Sequence, residues 1–164
     1  MNQGGFWVDT LKEGRERFFQ EAENPKGCFC PCCGRFGKVY KRKLSRPMAR
    51  GLIWLFRVFL ADGDQFVSIG DKGPRYVVRS NGSVSSNEWW GLAEEQLNPD
   101  EKQRTSGHWK ITPKGLQFVR GEIMVPSHCI IFNKSIQGFT EDLISIADAL
   151  GEPFNYRELM EDSP

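Results

Sequence analysis

The chain has 164 residues, which is the size of one compact domain with short arms at its ends. Hydrophobic residues make up 39% of it and include 12 Phe and 5 Trp, so the composition excludes a disordered protein. The formal net charge is only +1, and the longest apolar stretch, residues 51–56, is too short to span a membrane.

The first predicted element is a helix over residues 6–23. Apolar residues at partly helical spacing indicate it: Phe6, Trp7, Leu11, Phe18 and Phe19. The turn residues at 24–27 end it. Residues 1–6 have neither a basic flank nor a long apolar run, so no signal peptide is expected and the sequence predicts a cytoplasmic protein.

A cysteine-rich turn follows this helix, with four of the five cysteines in six consecutive positions. Cys30 and Cys33 have the spacing at which two thiolates reach one zinc ion, and Gly34 tolerates the turn conformation. The sequence therefore predicts zinc at Cys30 and Cys33, with Cys28 as a third ligand. Further candidate ligands are Cys32, His108, His128 and Cys129. Because no second Cys-x-x-Cys is present, the alternative is a metal-free turn with partly buried thiols.

A basic segment begins at the same turn. It consists of Arg35, Lys38, Lys41, Arg42, Lys43, Arg46 and Arg50, and no acidic residue lies between Asn24 and Ala61. By contrast, residues 140–164 contain seven acidic residues and one basic residue. This asymmetry indicates electrostatic attraction to a polyanion such as nucleic acid. The alternative is that the two oppositely charged regions neutralise each other within the fold.

The strongest helix signal covers residues 45–62. Ser45 is a good N-cap, Pro47 lies in the first turn and Gly63 follows the end. Arg50 and Arg57, seven residues apart, are expected on its outer face. Its core-facing residues recur every three or four positions: Met48, Leu52, Leu55, Phe56, Phe59 and Leu60.

The remaining elements are shorter. The predicted strands are residues 66–69, 76–78, 109–111, 123–125 and 130–132, and residues 39–43 are either a strand or an extended linker. The predicted helices are a short one from Ser85 through Leu92, one from Thr112 to about Arg120, one over residues 140–150 capped by Thr140, and one turn at 156–160.

Residues 45–121 resemble a winged helix. In that family a recognition helix ends in a Gly-Leu pair, as at Gly91-Leu92, and a two-stranded wing then runs into a helix start, as at Trp109–Gly115. The resemblance implies an α+β fold with a winged-helix-like core over 45–121. An N-terminal helix, the cysteine-rich turn and a basic linker occupy 1–44, and a β/α extension with an acidic helix occupies 122–164. The departure lies at residues 62–85, which look strand-like where the family has a second helix.

A second resemblance rests on Cys30–Gly34 with the basic residues after it, Met48–Arg50, Trp109–Gly115 and Val125-Pro126. These motifs resemble a group of small proteins that are encoded by phages and prophages and have no assigned function. The resemblance implies an origin in a mobile element and does not imply an activity.

Together these patterns predict a phage regulator that binds double-stranded DNA. The expected contacts are the basic segment with Arg75, Arg79, Ser86 and Asn87 near the recognition helix and Lys102 and Arg104 on the wing. Glu88, Glu94 and Glu95 lie beside that surface and repel phosphate. The alternative is an inhibitor or adaptor of a host protein complex, such as an anti-CRISPR or a polymerase inhibitor, or, more weakly, an assembly protein. No enzyme is expected, since the chain has two His and neither a phosphate loop nor a GxSxG motif.

Overall fold

The computed structural model describes residues 10–80, 83–100 and 102–151, which fall into two compact units. The smaller unit contains residues 10–42 and Ile130–Gly138, and the larger unit contains residues 43–129 and 139–151. Short helices and small antiparallel sheets make this an α+β structure, as predicted. Within the described ranges, no helix is long and apolar enough to cross a membrane.

The helices of the described ranges include one 3₁₀ helix, η1. They are α1 (Leu11–Ala22), α2 (Arg46–Asp62), α3 (Ile69–Lys72), α4 (Arg75–Val78), η1 (Ser85–Trp90), α5 (Pro113–Val119) and α6 (Ile146–Leu150). The strands are β1 (Cys28–Phe29), β2 (Phe36–Gly37), β3 (Tyr40–Lys43), β4 (Val67–Ser68), β5 (Ala93–Glu95), β6 (His108–Ile111), β7 (Val125–Pro126), β8 (His128–Phe132), β9 (Ser135–Phe139) and β10 (Leu143–Ile144).

These strands form four small sheets. Two are pairs, β1 with β2 and β7 with β10, and two have three strands in the orders β3-β8-β9 and β4-β6-β5. In the last sheet β6 is central and antiparallel to both neighbours, with Trp109 opposite Val67 and Ile111 opposite Ala93. The division between the two units falls inside strands β3, β8 and β9.

The smaller unit is organised around α1. A reciprocal capping box between Thr10 and Glu13 begins the helix, and hydrogen bonds from Thr10 lower the pKa of the Glu13 carboxyl. The Phe18 and Phe19 rings each meet Phe132 edge to face, with centroids 5.4 Å apart. Even so, Ala22 is the one hydrophobic side chain of this unit's described residues that is fully buried.

The larger unit has the main hydrophobic core. Helix α2 contributes eight buried residues to it, which include the predicted core residues Met48, Leu52, Leu55 and Phe56. The prediction is wrong for Leu60, which is 58% exposed near the end of the helix, and Phe59 is only partly buried. Trp90 is buried at the end of η1, and its indole N–H donates to the Pro126 carbonyl at 2.7 Å. The other large side chains that are almost completely buried include Leu44, Leu52, Leu92, Phe118 and Leu150.

Several predicted elements are confirmed. Helix α2 covers 46–62, α5 starts at Pro113 with Thr112 as its cap, and β6 contains 109–111. Strand β8 contains the predicted 130–132, β3 resolves the 39–43 alternative in favour of a strand, and η1 covers most of the predicted 85–92 helix. Arg50 is not on an open outer face: its guanidinium carbon lies 4.4 Å from the Tyr76 ring centroid and its Nε is buried.

The predicted strand at 76–78 is wrong, because these residues belong to helix α4. Tyr76, Val77 and Val78 favour strands by propensity, but tertiary packing overrides that preference. In α4 the Val77 side chain is buried while Tyr76 stacks against Arg50 of α2. Pro74, with its fixed φ, occupies the N-cap position.

The predicted helix over 140–150 is wrong in its first half. Leu143 and Ile144 form β10 and pair antiparallel with Pro126 and Val125. The helix starts only at Ile146, because Ser145 and Asp148 form a capping box there. Thr140 does not cap a helix and instead hydrogen-bonds to the backbone of His128.

Other differences concern short strands. The sequence did not indicate β1, β2 or β9, and it implied β5 only as the first strand of the wing, without a residue range. Ile69 begins a helix where a strand was predicted, and of 123–125 only Val125 is in a strand. Each of these strands has two to five residues, too few for a clear period. Residues 6–9 of the predicted first helix and the turn at 156–160 lie outside the described residues.

Candidate nucleic-acid interface

The cysteine-rich turn of the smaller unit closes a hairpin between β1 and β2. Cys28 lies opposite Gly37, and Phe29 lies opposite Phe36. The Cys30 N–H donates to the Arg35 carbonyl and the Gly34 N–H to the Cys30 carbonyl, both at 2.8 Å. Gly34 has a φ of +68°, so the predicted turn role of this glycine agrees with its backbone.

The cysteines of the turn differ in their surroundings. Backbone N–H groups of Cys33 and Cys32 donate to the Cys30 sulfur, and this lowers the pKa of the Cys30 thiol. Partial burial raises the pKa of Cys28, whose thiol donates to the Phe18 carbonyl at 3.5 Å. Cys32 is exposed, but desolvation by the surrounding chain, followed by the nearby Cys30, raises the pKa of its thiol. The Cys30 thiol is thus the one most readily deprotonated by its surroundings among these three.

The structure does not test the predicted zinc site. Among the residues that the structure describes, no group of three or more Cys, His, Asp or Glu side chains is placed to hold one metal ion. His108, His128 and Cys129 belong to the larger unit, where Cys129 is buried and the His108 Nδ1 lies 2.8 Å from the Ser106 carbonyl. Zinc at Cys28, Cys30 and Cys33 stays a prediction.

Exposed aromatic side chains surround the same turn. Phe29 is 69% exposed, Phe36 is 53% exposed, and their ring centroids are 5.4 Å apart in an edge-to-face pair. Tyr40 is 56% exposed, and the Lys38 ammonium lies 5.7 Å from its ring centroid. Sequence reasoning missed this cluster. The signal that could have found it is one Phe directly before Cys30 and one directly after Arg35, at the two ends of the turn.

The basic segment continues along strand β3. All four residues of this strand, Tyr40–Lys43, are exposed, and β3 lies at the edge of its sheet. Arg35 is also exposed, and no carboxylate of the described residues forms an ion pair with Arg35 or Lys41. Such side chains can attract phosphate, but Lys on an edge strand also prevents pairing with other chains.

The predicted wing of the larger unit is the loop between β5 and β6. The Glu95 carboxylate organises it by accepting hydrogen bonds from the Thr105 hydroxyl and, at 2.7 Å, from the Ser106 N–H. Asn98 and Asp100 each accept a backbone N–H two residues on, which shapes the tip. Lys102 and Arg104, the two predicted DNA contacts on this loop, are exposed.

The recognition-helix residues of the prediction are placed differently. Ser86 and Asn87 are buried, so their side chains do not reach a base or phosphate in this structure. The Asn87 amide instead donates to the carbonyls of Met48 and Val84, at 3.1 and 3.2 Å, which holds η1 against α2. We therefore correct their role from DNA contacts to core residues.

The other predicted contacts of the larger unit are on its surface. Arg46 at the start of α2, Arg75 as the first residue of the four-residue helix α4, and Arg79 directly after that helix are exposed. Arg50 is partly buried against Tyr76, and its charge is correspondingly less available. Glu88 and Glu94 are exposed on and after η1, and Glu94 forms an ion pair with Lys110 at 3.1 Å.

A cluster of Ser127, His128 and Asp142 has residue types found in hydrolases, but its geometry differs. The Ser127 oxygen lies 2.6 Å from His128 Nδ1 and also hydrogen-bonds to the Asp142 carboxylate. In a catalytic triad the histidine lies between the other two, whereas here the serine does and is buried. The hydrogen bond from Ser127, followed by that from Thr140, lowers the pKa of Asp142. The cluster therefore fixes the connection between β7 and β10.

Comparison with known proteins gives no relative: no family model, no curated protein and no solved structure matches this chain.

Proposed function

We propose that this chain is a phage or prophage regulator that binds double-stranded DNA with a winged-helix core. The observation that carries the proposal is the β5–β6 hairpin, whose loop is internally hydrogen-bonded and presents Lys102 and Arg104 to solvent. A preorganised loop with two exposed cations can contact phosphates with little loss of conformational entropy.

The order of elements supports this proposal. Helix α2 is followed by α3 and α4 in the stretch where the winged-helix family has its second helix. Helix η1 ends at Trp90 and is followed by Gly91 in the left-handed conformation, at φ +68°, and then by the wing. Helix α5 follows the second wing strand directly, with Thr112 as its cap.

The basic segment adds phosphate contacts in this proposal. Strand β3 carries Lys41, Arg42 and Lys43, all exposed. Since side chains of a strand alternate, Lys41 and Lys43 lie on one face and Arg42 lies on the other. Such contacts supply affinity and orientation and do not by themselves read a sequence.

The test is a titration of a random-sequence 20-base-pair duplex with the purified chain at several salt concentrations, followed by fluorescence anisotropy. We compare the native chain with Lys41→Gln/Lys43→Gln. The matched control is Lys12→Gln/Lys26→Gln, which removes the same charge from exposed positions outside the basic segment. A second variant, Lys102→Gln/Arg104→Gln, tests the wing.

We expect the affinity of the native chain to fall steeply with salt. Each lysine that contacts a phosphate contributes about 1 to the slope of log K against log salt, so the strand variant should lower the slope by about 2. The control should leave it unchanged. If the native chain does not bind the duplex at low salt, or if the strand, wing and control variants are indistinguishable, the proposal is wrong.

A second candidate, an inhibitor or adaptor of a host protein complex, is favoured by one observation. The segment expected to meet the bases buries Ser86 and Asn87 and presents Glu88 to solvent. A carboxylate at that position repels phosphate but can pair with a basic protein surface. Under this candidate the chain has no duplex affinity at low salt. Glu88→Lys then weakens binding to the host complex and does not create affinity for the duplex.

A further inference from the structure

We propose that the exposed phenylalanine pair of the cysteine hairpin, Phe29 and Phe36, is a stacking platform for the unpaired bases of single-stranded nucleic acid. This inference deepens the proposed function, on which it rests for the general class of ligand. It assigns to the smaller unit a ligand different from the duplex proposed for the wing.

The register of the hairpin directs both rings outward. In the neighbouring pair, the Cys28 sulfur contacts the Phe18 carbonyl, and a side chain added at Gly37 would collide with the Phe18 ring. This pair therefore faces α1. Successive residues of a strand point to opposite faces, so Phe29 and Phe36 face away from α1. Their exposed fractions agree with this direction.

The platform is held in place by the backbone beneath it. A Cβ at Gly27 would lie 2.5 Å from the Phe36 ring, so this glycine leaves room for the ring to lie over the chain. The hydrogen bonds between Cys30 and Arg35 and between Gly34 and Cys30 close the turn between the two strands. The rings are thus presented on a short, hydrogen-bonded hairpin, which limits the entropy lost on binding.

The charge around the platform fits a polyanion. Arg35 precedes Phe36 in sequence and Lys38 follows two residues later, and both lie in a stretch without acidic residues. The smaller unit has nine basic and four acidic residues among those described. An apolar protein partner would not require this excess of cations, whereas a chain of phosphates with aromatic bases matches both features.

Stacking also selects for unpaired bases. A base in a duplex is already stacked between its neighbours, so its face is not available to a protein ring. In a single strand every base offers a face, and stacking on an aromatic side chain tolerates any sequence. We therefore expect the hairpin to bind single-stranded DNA or RNA with little sequence preference.

The test uses the full chain and fluorescein-labelled 12-nucleotide single strands of mixed sequence, one of DNA and one of RNA. A third strand has the same phosphates but abasic sites in place of the bases. The variant is Phe29→Leu/Phe36→Leu, which keeps two apolar side chains and removes the aromatic faces. Phe139→Leu, a change of another exposed phenylalanine, outside the hairpin, is the control. Thermal unfolding of each variant is measured in parallel.

We expect each lost ring to weaken single-strand binding about tenfold or more, so about a hundredfold in the double variant. The abasic strand should bind the native chain as weakly as the normal strand binds the variant. The platform predicts similar binding of DNA and RNA, because both present the same base faces, whereas a preference for RNA would assign part of the affinity to the 2′-hydroxyl. The platform is supported when both the Leu substitutions and the abasic strand weaken binding.

Other outcomes overturn it. Native-like binding by the Leu variant, or equal binding of abasic and normal strands, would mean that phosphate attraction alone acts at the hairpin. If the variant converts a dimer into a monomer without changing strand binding, the rings form an interface with a second copy. Binding of the duplex alone would reject the platform and keep the regulator, whereas binding of single strands alone would reject the regulator and keep the platform.

Discussion

The two units of this chain differ in how many of their large apolar side chains they bury. The larger unit buries Trp90, Trp109 and Phe118 in one core. The smaller unit leaves Phe29, Phe36 and Tyr40 exposed and fully buries a single hydrophobic side chain among its described residues. Burial of a large aromatic ring contributes about 1.5–3 kcal/mol to the free energy of unfolding. The exposed rings of the smaller unit do not make this contribution.

Charge separates the units in the same direction. The described residues of the smaller unit have nine basic and four acidic side chains, whereas those of the larger unit have twelve and eleven. The overall charge of +1 conceals this difference. A unit with little core, exposed rings and excess positive charge matches the ligand contact proposed above for the smaller unit, whereas the larger unit contains most of the hydrophobic core.

The largest expected loss of stability in the larger unit is that of Gly115→Ala. A Cβ at this position would collide with the Leu92 carbonyl oxygen, a backbone atom that also accepts the Thr112 N–H. Because backbone cannot move aside cheaply, we expect a loss of more than about 3 kcal/mol in the free energy of unfolding. Chemical denaturation followed by tryptophan fluorescence measures this.

Gly70→Ala is the matched control in the same unit. Its nearest neighbour would be the Ser68 hydroxyl at 4.0 Å, and Gly70 lies in helix α3, where Ala is the better helix former. We expect stability to be unchanged or slightly increased. Equal losses for the two variants would mean that the contact between Gly115 and Leu92 does not hold this unit together.

The second prediction separates a core residue from a DNA contact. Asn87→Ala removes the amide that bonds to the Met48 and Val84 carbonyls, and leaves those buried acceptors without it. We expect a loss of about 2 kcal/mol in the free energy of unfolding. Exposed Glu88→Gln, the control next to it, should change stability by less than about 0.5 kcal/mol. If Asn87→Ala is instead fully stable and loses duplex affinity, then Asn87 contacts DNA.

Alkylation of the cysteines tests how the accessibility of thiols differs between the two units. Cys129 of the larger unit is buried, so it should resist alkylation in the folded chain, whereas Cys32 and Cys33 should react. Because backbone N–H groups lower the pKa of Cys30, whereas desolvation and the nearby Cys30 raise that of Cys32, half-maximal labelling of Cys30 should occur at the lower pH. Peptide mass spectrometry after iodoacetamide treatment at several pH values measures both.

The same experiment tests zinc. With zinc bound, Cys28, Cys30 and Cys33 should be protected from alkylation until a chelator is added, and the chelator should release about one metal ion per chain. If labelling is the same with and without chelator and no metal is released, the turn is metal-free. Protection of Cys129 serves as the internal control, because its burial does not depend on a metal.

The sequence predicted long elements well and short ones poorly. Helix α2 has 17 residues, so its apolar period and its terminal Pro and Gly are repeated evidence for one structure. The stretch 76–78 has only three residues, and β-branched side chains there indicated a strand that contacts with α2 override. In 140–150 both Thr140 and Ser145 are possible helix caps. Ser145 forms the capping box, because Leu143 and Ile144 pair with β7 and the helix can begin only after them.

The candidate interface was predicted in the same uneven way. Charge is visible in sequence, and Lys41–Lys43, Lys102 and Arg104 are indeed exposed. The burial of a polar residue is not visible in the sequence. Ser86 and Asn87 are residue types that commonly cap helices at the surface, but both are buried in this structure. The outward direction of Phe29 and Phe36 depends on the pairing of Cys28 with Gly37, a register that a two-residue strand does not encode by period.

The smallest expected effects are those of pH on the larger unit. The Ser127 hydroxyl lowers the folded pKa of Asp142 below its ordinary value of 3.8. This carboxylate therefore stabilises the fold above about pH 4, and the contribution is lost as the pH falls through the lower folded pKa. Ion pairs with Glu94 and Asp64 raise the pKa of Lys110 above 10.5. Its contribution is therefore present below that pH and is lost as the pH rises further.

Asp142→Asn should accordingly make the unfolding midpoint less dependent on pH between about 2 and 5, and Lys110→Gln should do so above about pH 10. Asp148→Asn is the control at acidic pH. Hydrogen bonds from Ser145 lower the pKa of Asp148 as well, but they belong to the cap of helix α6 and not to the Ser127 cluster. If Asp142→Asn keeps the full acid dependence while Asp148→Asn removes it, the helix cap and not the Ser127 cluster stabilises this edge of the larger unit.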